Sequence, residues 1–413
     1  MRRVIPIRKM TYFASPIYLL GMLIFFWALF DGMITYITPL ILESHGFSNT
    51  IIGLIIASSS IFGALFDFLI CRFIKNTSFR RTLLFMLILC LTYPLVLGTA
   101  NSIVVFVLAM LIWGVYYDFY GFSVFDYVSK YTKKEDHSAS FGIIQVFRSI
   151  ASIIAPLLVG MILVGIIFKK VFLWAYFFLI LSLALYFVLI YVTKKNKTEA
   201  ESKEPERKRN IWIELHLWKK IGKKIISPLT VTFFLFFIEA FFWTLSPLYS
   251  ENFSMPLFGG IFLAAYSVPM LTAGWLVKKI TEKYGKKKTA ITSLLLGSLV
   301  MCAFLIVTNP YWAIVVVLIS AFFFGLAFPS ISGTYADYIS EQVIVEKEIE
   351  TLEDASFNVA YVLGPIFAGL LSDIFGISNA FAILGMIGLM LAIVLLIITP
   401  KSIDIKITKE DLK

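Results

Sequence analysis

Asp31-Gly-Met-Ile-Thr-Tyr-Ile-Thr-Pro-Leu40 and, about 210 residues later, Glu239-Ala-Phe-Phe-Trp-Thr-Leu-Ser-Pro-Leu248 both set an acidic residue eight positions before a proline inside an apolar run. The correspondence extends outward. Gly63 recurs as Gly274, Gly114 and Asp126-Tyr127 as Gly325 and Asp337-Tyr338, and Pro156 with Gly160 as Pro365 with Gly369. A second half that rereads the first in charged and helix-breaking residues is an internal duplication. Membrane proteins built from such repeats place a binding site where the repeats meet, near the bilayer midplane.

With 59% hydrophobic and 15% charged residues over 413 positions, and a mean hydropathy of +0.88, the chain carries more apolar surface than a water-soluble core can hide. It reads as an all-α integral membrane protein. Twelve apolar stretches, from 16–42 to 379–398, are each long enough to cross about 30 Å of hydrocarbon as a helix, and their length without alternation excludes strands. They divide into six-helix halves at 1–192 and 226–413, joined by a linker region at 193–225.

The net charge of +10 suggests nucleic acid until the basic residues are placed. With Arg2, Arg3, Arg8 and Lys9 assigned to the cytoplasm and sides alternating thereafter, all 36 Lys and Arg except Lys169, Lys170 and Arg148 fall on the cytoplasmic side. The expectation is a multi-pass plasma-membrane protein with both termini cytoplasmic and no nucleic-acid partner. Its N-terminal apolar run reads as a retained span, not a cleaved signal.

Cys71, Cys90 and Cys302 lack metal-ligand spacing, His45, His137 and His216 fall outside the spans, and no nucleotide-binding loop appears. No enzyme, metal or cofactor is expected. Thr193 to Asn210 is too polar to pack and reads as a flexible linker. It runs into Asn210 to Ile226, where Ile211, Leu215, Trp218 and Ile225 fall near helical spacing and Lys219, Lys220, Lys223 and Lys224 can face lipid head groups. This segment is either a surface-lying helix touching membrane lipid or a basic continuation of the seventh span.

The duplicated halves, twelve spans and basic linker resemble the major facilitator superfamily over the whole chain. Gly63-Ala-Leu-Phe-Asp67, followed by Arg72, Lys75, Arg80 and Arg81, is similar to the family's GxxxD element before basic residues, although Phe68 and Ile70 replace its usual basic residue and glycine. Gly364-Pro365-x-x-x-Gly369-x-x-x-Asp373 and Ala155-Pro156-x-x-x-Gly160 look more like the family's pattern. The resemblance implies two halves rocking around a central path lined by spans one, four, seven and ten. Drug-proton antiporters of the family carry an arginine shortly before the glycine of span four, and Val107 to Trp113 holds none, which disfavours efflux.

Asp31, Asp118, Arg148 and Glu239 stand inside apolar spans, roughly 12 to 22 Å from the cytoplasmic end at about 1.5 Å per residue, where an unpaired charge is expensive. Helical spacing extends them into stripes: Asp31, Thr35 and Thr38; Gly114, Asp118 and Gly121; Glu239, Trp243 and Ser246. Gln145 lies a turn from Arg148, and Asn358 shares a face with Tyr361. The expected substrate and proton site is therefore Asp31, Thr35, Asp118, Gln145, Arg148, Glu239, Trp243 and Asn358. Three carboxylates face one guanidinium, so a second carboxylate must bind a proton, the expected coupling ion, or meet a cation. Arg148 is either the partner of Asp118 or the ligand of an anionic substrate.

At the cytoplasmic ends Asp67, Asp126 and Asp337 close their helices beside basic loops and are expected to serve in gating. Glu350 and Glu353 belong to an acidic cluster, Glu346 to Asp354, in which Thr351-x-x-Asp354 resembles a capping box; they either meet Arg72, Lys75, Arg80 and Arg81 across the halves as a gate or form an unpaired, solvated surface. The favoured reading is a monomeric secondary transporter that takes up a polar small molecule, such as a sugar or organic acid, with protons. Efflux of a lipophilic or cationic compound, favoured by the 16% aromatic content, and a non-transporting sensor or scaffold stay open.

Overall fold

The computed structural model describes residues 16–73, 78–132, 136–163, 168–195, 211–251, 257–341 and 346–400. Most of the linker, 196–210, lies outside them, as do the side chains of Asp67, Arg72 and Ile211 to Leu215. The described residues form helices without strands. The first half holds α1 (Pro16–Ser44), α2 (Asn49–Phe73), α3 (Phe79–Thr99), α4 (Ile103–Tyr131), α5 (His137–Ile162) and α6 (Lys169–Lys195). After α7 (Ile211–Lys224) the second half holds α8 (Ile226–Glu251), α9 (Phe258–Tyr284), α10 (Lys286–Met301), α11 (Pro310–Glu341), α12 (Glu346–Phe375) and α13 (Ile377–Ile398). All except α7 include a stretch long and apolar enough to cross a membrane, which makes twelve candidate spans.

Within the first half α1 packs on α5 and α6, and α4 on α2 and α3; within the second, α11 packs on α9 and α10, and α8 on α12. The halves meet along α2–α12, α5–α9 and α1–α8. These seams are tightest at the end of the bundle away from the linker. A Cβ at Gly369 would stand 2.0 Å from the Asn49 carbonyl oxygen, and one at Gly53 would stand 2.0 Å from that of Pro365, so only glycine lets α2 and α12 come this close. Toward the linker end Gly121, Gly142 and Gly274 have nothing within 4 Å of where a Cβ would be. The close approach of the halves that only glycine permits is thus at the far end.

The far end carries a latch. Asp373, on α12, accepts hydrogen bonds from the Asn49 and Thr50 amides at 3.0 and 2.8 Å and from the Thr50 hydroxyl at 2.6 Å, capping the N-terminus of α2 from the opposite half. An anion here satisfies orphan amides and complements the helix dipole. Asp373→Ala is expected to remove about 1–2 kcal/mol from the far-end-closed state, a shift of about 5- to 30-fold in population. A cysteine at Thr35, in a background without the three native cysteines, should then react faster with a thiol reagent confined to the far side. An unchanged labelling rate would count against the latch.

One sequence reading changes at the linker end, and the contacts of three others become visible. Helix α12 begins at Glu346, and Thr351 lies inside it with its hydroxyl donating to the Lys347 carbonyl at 2.7 Å, so no capping box forms. Helix α7 buries Leu217 and Ile221, followed by the expected Ile225, and leaves Trp218 half-buried; Gly222 lies against Leu352 of α12. Asp126 and Asp337 tie helices within a half. Asp126 accepts the Phe79 amide at 2.7 Å at the start of α3 and pairs with Lys130, while Asp337 meets Lys286 Nζ at 2.5 Å at the start of α10. The two aspartates are repeat-related, and so are the helix starts they hold.

Candidate functional site

Helix α4 turns two different faces to its neighbours, and this separates the residues that build the site from those that do not. Trp113, Tyr116, Tyr117 and Tyr120 fall at the spacing of one helix face. Tyr116 and Tyr117 donate their hydroxyls to the two oxygens of Asp31 on α1, at 2.6 and 2.5 Å. Trp27, one turn before Asp31, stacks on Tyr120 with ring centroids 4.5 Å apart and donates its indole N–H to Cys90 Sγ at 3.3 Å. Asp31 is therefore held from two sides by aromatic groups whose own positions are fixed.

Asp118 points elsewhere. Its carboxylate oxygens lie 3.4 and 3.5 Å from where a Gly63 Cβ would stand on α2, and a Cβ at Gly114 would meet the Ser59 carbonyl oxygen at 2.1 Å. The Gly114–Asp118 stripe is a packing seam between α2 and α4. Asp118 is not the partner of Arg148, and the reason is rotational: it stands about 100° around the helix from Tyr117 and further from Tyr116.

Arg148, on α5, lies over the rings of Tyr120 and Tyr117 at 5.4 and 6.0 Å, an arrangement worth about 2 kcal/mol or more when desolvated. The other groups acting on it are Asp31 and, from the second half, Tyr361 on α12 and Glu239 on α8. No carboxylate oxygen lies within 4.0 Å of its guanidinium among the described residues. Glu239 faces the Tyr361 hydroxyl and, one turn along its own helix, the Trp243 indole. Arg148 thus stands between two repeat-related carboxylates without closing a salt bridge to either, in a setting where charges act strongly on one another.

The remaining expected residues sit beside this group. Thr35 and Asn358 are half-buried and Gln145 exposed, each a helical turn from Asp31, Tyr361 and Arg148 respectively. Thr38 and Ser246 are fully buried; Thr38 shares a hydrogen bond of 3.0 Å with Tyr93. The residues that sequence reasoning left out are aromatic: Trp27, Tyr116, Tyr117, Tyr120 and Tyr266, the last packed edge-on to Trp243. Only the one-face spacing on α4 could have signalled any of them.

The chain matches the family model of the Major Facilitator Superfamily over residues 7–344. It belongs to that superfamily. It is accordingly a multi-pass membrane transporter and not an enzyme. Solved superfamily structures share the fold at low identity. A mutant of the nucleoside transporter NupG is 14% identical with a TM-score of 0.73, covering 93% of this chain and 100% of its own. A bacterial homologue of the human lysosomal transporter Spinster, inward-facing and unoccupied, is 14% identical with a TM-score of 0.66, covering 94% and 96%. The peptide transporter POT in complex with sulfate is 14% identical with a TM-score of 0.68, covering 96% of each chain. No curated protein matches the sequence.

Proposed function

We propose that this superfamily member takes up a small polar solute by proton symport, its two halves exposing the central site alternately to each side of the plasma membrane, with the termini and linker cytoplasmic. The observation that carries this reading is Arg148, set between Asp31 of its own half and Glu239 of the other. One cation cannot neutralise two carboxylates away from water, so one carboxylate is a natural proton carrier. Because Glu239 acts on Arg148 across the seam, protonating it changes the force between the halves. Substrate-dependent alkalinisation outside proteoliposomes under an imposed solute gradient tests the symport; uptake without any proton movement overturns it.

In this reading the linker end closes when the far end opens. Glu350 and Glu353 on α12 and Arg80 and Arg81 on α3 have no ion pair with one another among the described residues, as fits an open linker end. Their opposite charges supply the attraction for closure. Each exposed pair is worth about 0–1 kcal/mol, so Arg80→Glu with Arg81→Glu is expected to favour the linker-open state by about fivefold. Adding Glu350→Lys and Glu353→Lys is expected to restore the balance. Additive effects on cysteine accessibility would show that the two clusters never meet.

A further inference from the structure

The hydrogen-bonding groups of the central site are unevenly committed. Both oxygens of Asp31 accept phenolic hydroxyls, and Glu239 faces the Tyr361 hydroxyl and Trp243 indole, so the acceptors are turned toward protein donors. The donors are in surplus. Arg148 carries five N–H groups; it meets the rings of Tyr117 and Tyr120 and the Tyr120 hydroxyl, and its remaining N–H groups reach no carboxylate among the described residues. Trp113 Nε1 and the Tyr266 hydroxyl are buried without a partner, Tyr266 within the field of Glu239. The Gln145 and Asn358 amides take no hydrogen bond from the described residues either. An orphaned buried donor is costly, and the unfilled N–H groups of Arg148 and Trp113, neither of which can accept, suit a ligand that does.

Charge narrows the ligand further. With Asp31 and Glu239 ionised the trio carries one net negative charge. A neutral solute entering with a proton on Glu239 would bring the trio to zero. A monoanion entering with the same proton leaves the net charge unchanged, and it supplies the acceptor that the planar guanidinium holds best, through two parallel hydrogen bonds. The half-buried rings of Tyr117 and Tyr120 lie against the Arg148 guanidinium and suit a flat apolar body.

We infer that the solute is a small organic monocarboxylate with a flat apolar portion, its carboxylate held by Arg148 while Glu239 carries the accompanying proton. This rests on the symport reading above and names its substrate class. The step is electroneutral: one carboxylate and one proton cross together, with no bond made or broken beyond the O–H of Glu239.

The test uses the full-length protein in proteoliposomes and, for binding, the thermal shift of the purified chain. Benzoate and lactate are compared with benzamide, glucose, uridine and phenyl phosphate. A carboxylate is expected to raise the melting temperature where benzamide, glucose and uridine do not, and the response should weaken about tenfold or more in Arg148→Lys, which keeps the charge and loses the fork. Gln145→Glu, placing a negative charge one turn from Arg148, should weaken it comparably without depending on the first variant folding. Benzoate or lactate uptake with protons should be insensitive to a valinomycin-set potential. A response confined to neutral probes or to phenyl phosphate, carboxylate binding unchanged in both variants, or no response to either carboxylate overturns the inference. Electrogenic proton-driven glucose or uridine uptake would remove this substrate class and leave the symport reading standing. Carboxylate uptake without protons would do the reverse.

Discussion

Arg148→Ala is expected to abolish solute exchange and uphill accumulation together. Removing the guanidinium leaves Asp31 and Glu239 facing the same space with no cation, and it strips the cation from the Tyr117 and Tyr120 rings. Breaking a buried charge group by deleting one member typically costs about 3–5 kcal/mol, because what remains is desolvated and uncompensated, and this corresponds to about 10²- to 10⁴-fold in affinity. Counterflow of labelled solute and proton-driven accumulation, measured on the same proteoliposomes, should therefore both fall by about 100-fold or more. The melting temperature of the purified variant separates this from misfolding. Exchange within about threefold of the parent would show that the arginine is a packing element and not the centre of the site.

The sequence exposed the parts of this site that are expensive. A charge in the middle of an apolar span stands out against hydrocarbon whatever its orientation, which is why Asp31, Arg148 and Glu239 were legible, and the repeat related two of them before any contact was known. What stayed hidden was rotation. A helix apolar on every side has no polar stripe to show which residues face the interior, so Asp118 was grouped with Arg148 although it lies one residue beyond the tyrosines that face Asp31. The aromatic partners were hidden for a related reason: in a chain with 16% aromatic residues, Tyr116 or Trp27 carries no more signal than any other ring.

Helix ends were also misplaced, because hydropathy marks the bilayer-crossing part of a helix and not its length. The acidic turns from Glu346 to Asp354 are continuous with α12 yet polar enough to read as the segment before it. The repeat-related tethers at Asp126 and Asp337 show the converse. Charge beside a basic loop suggested gating, and each carboxylate reaches the start of the preceding helix in its own half, a contact that sequence distance conceals.

The two central carboxylates are expected to part company when each is neutralised. Asp31 and Arg148 belong to the same half and Glu239 and Tyr361 to the other, so under the proposed alternating access the attraction between the first two would be unaffected while the link of the second two to Arg148 would be made and broken. A proton on Glu239 weakens the attraction across the seam, and only a carboxylate whose charge acts across the seam can make the motion depend on protonation. Glu239→Gln, which mimics the protonated form permanently, should retain counterflow within a few-fold of the parent while accumulation against a gradient falls to the passive level, because exchange need not move the proton and accumulation must. Asp31→Asn should instead impair both, since an amide cannot accept from both Tyr116 and Tyr117 with the strength of a carboxylate and the ring platform beneath Arg148 loses its anchor. The loss expected from two charge-assisted hydrogen bonds is about 3 kcal/mol, or about 100-fold in exchange. If Glu239→Gln still accumulates solute uphill while Asp31→Asn exchanges without accumulating, the proton rides on Asp31, and the coupling must pass through the aromatic cluster of the first half rather than across the seam.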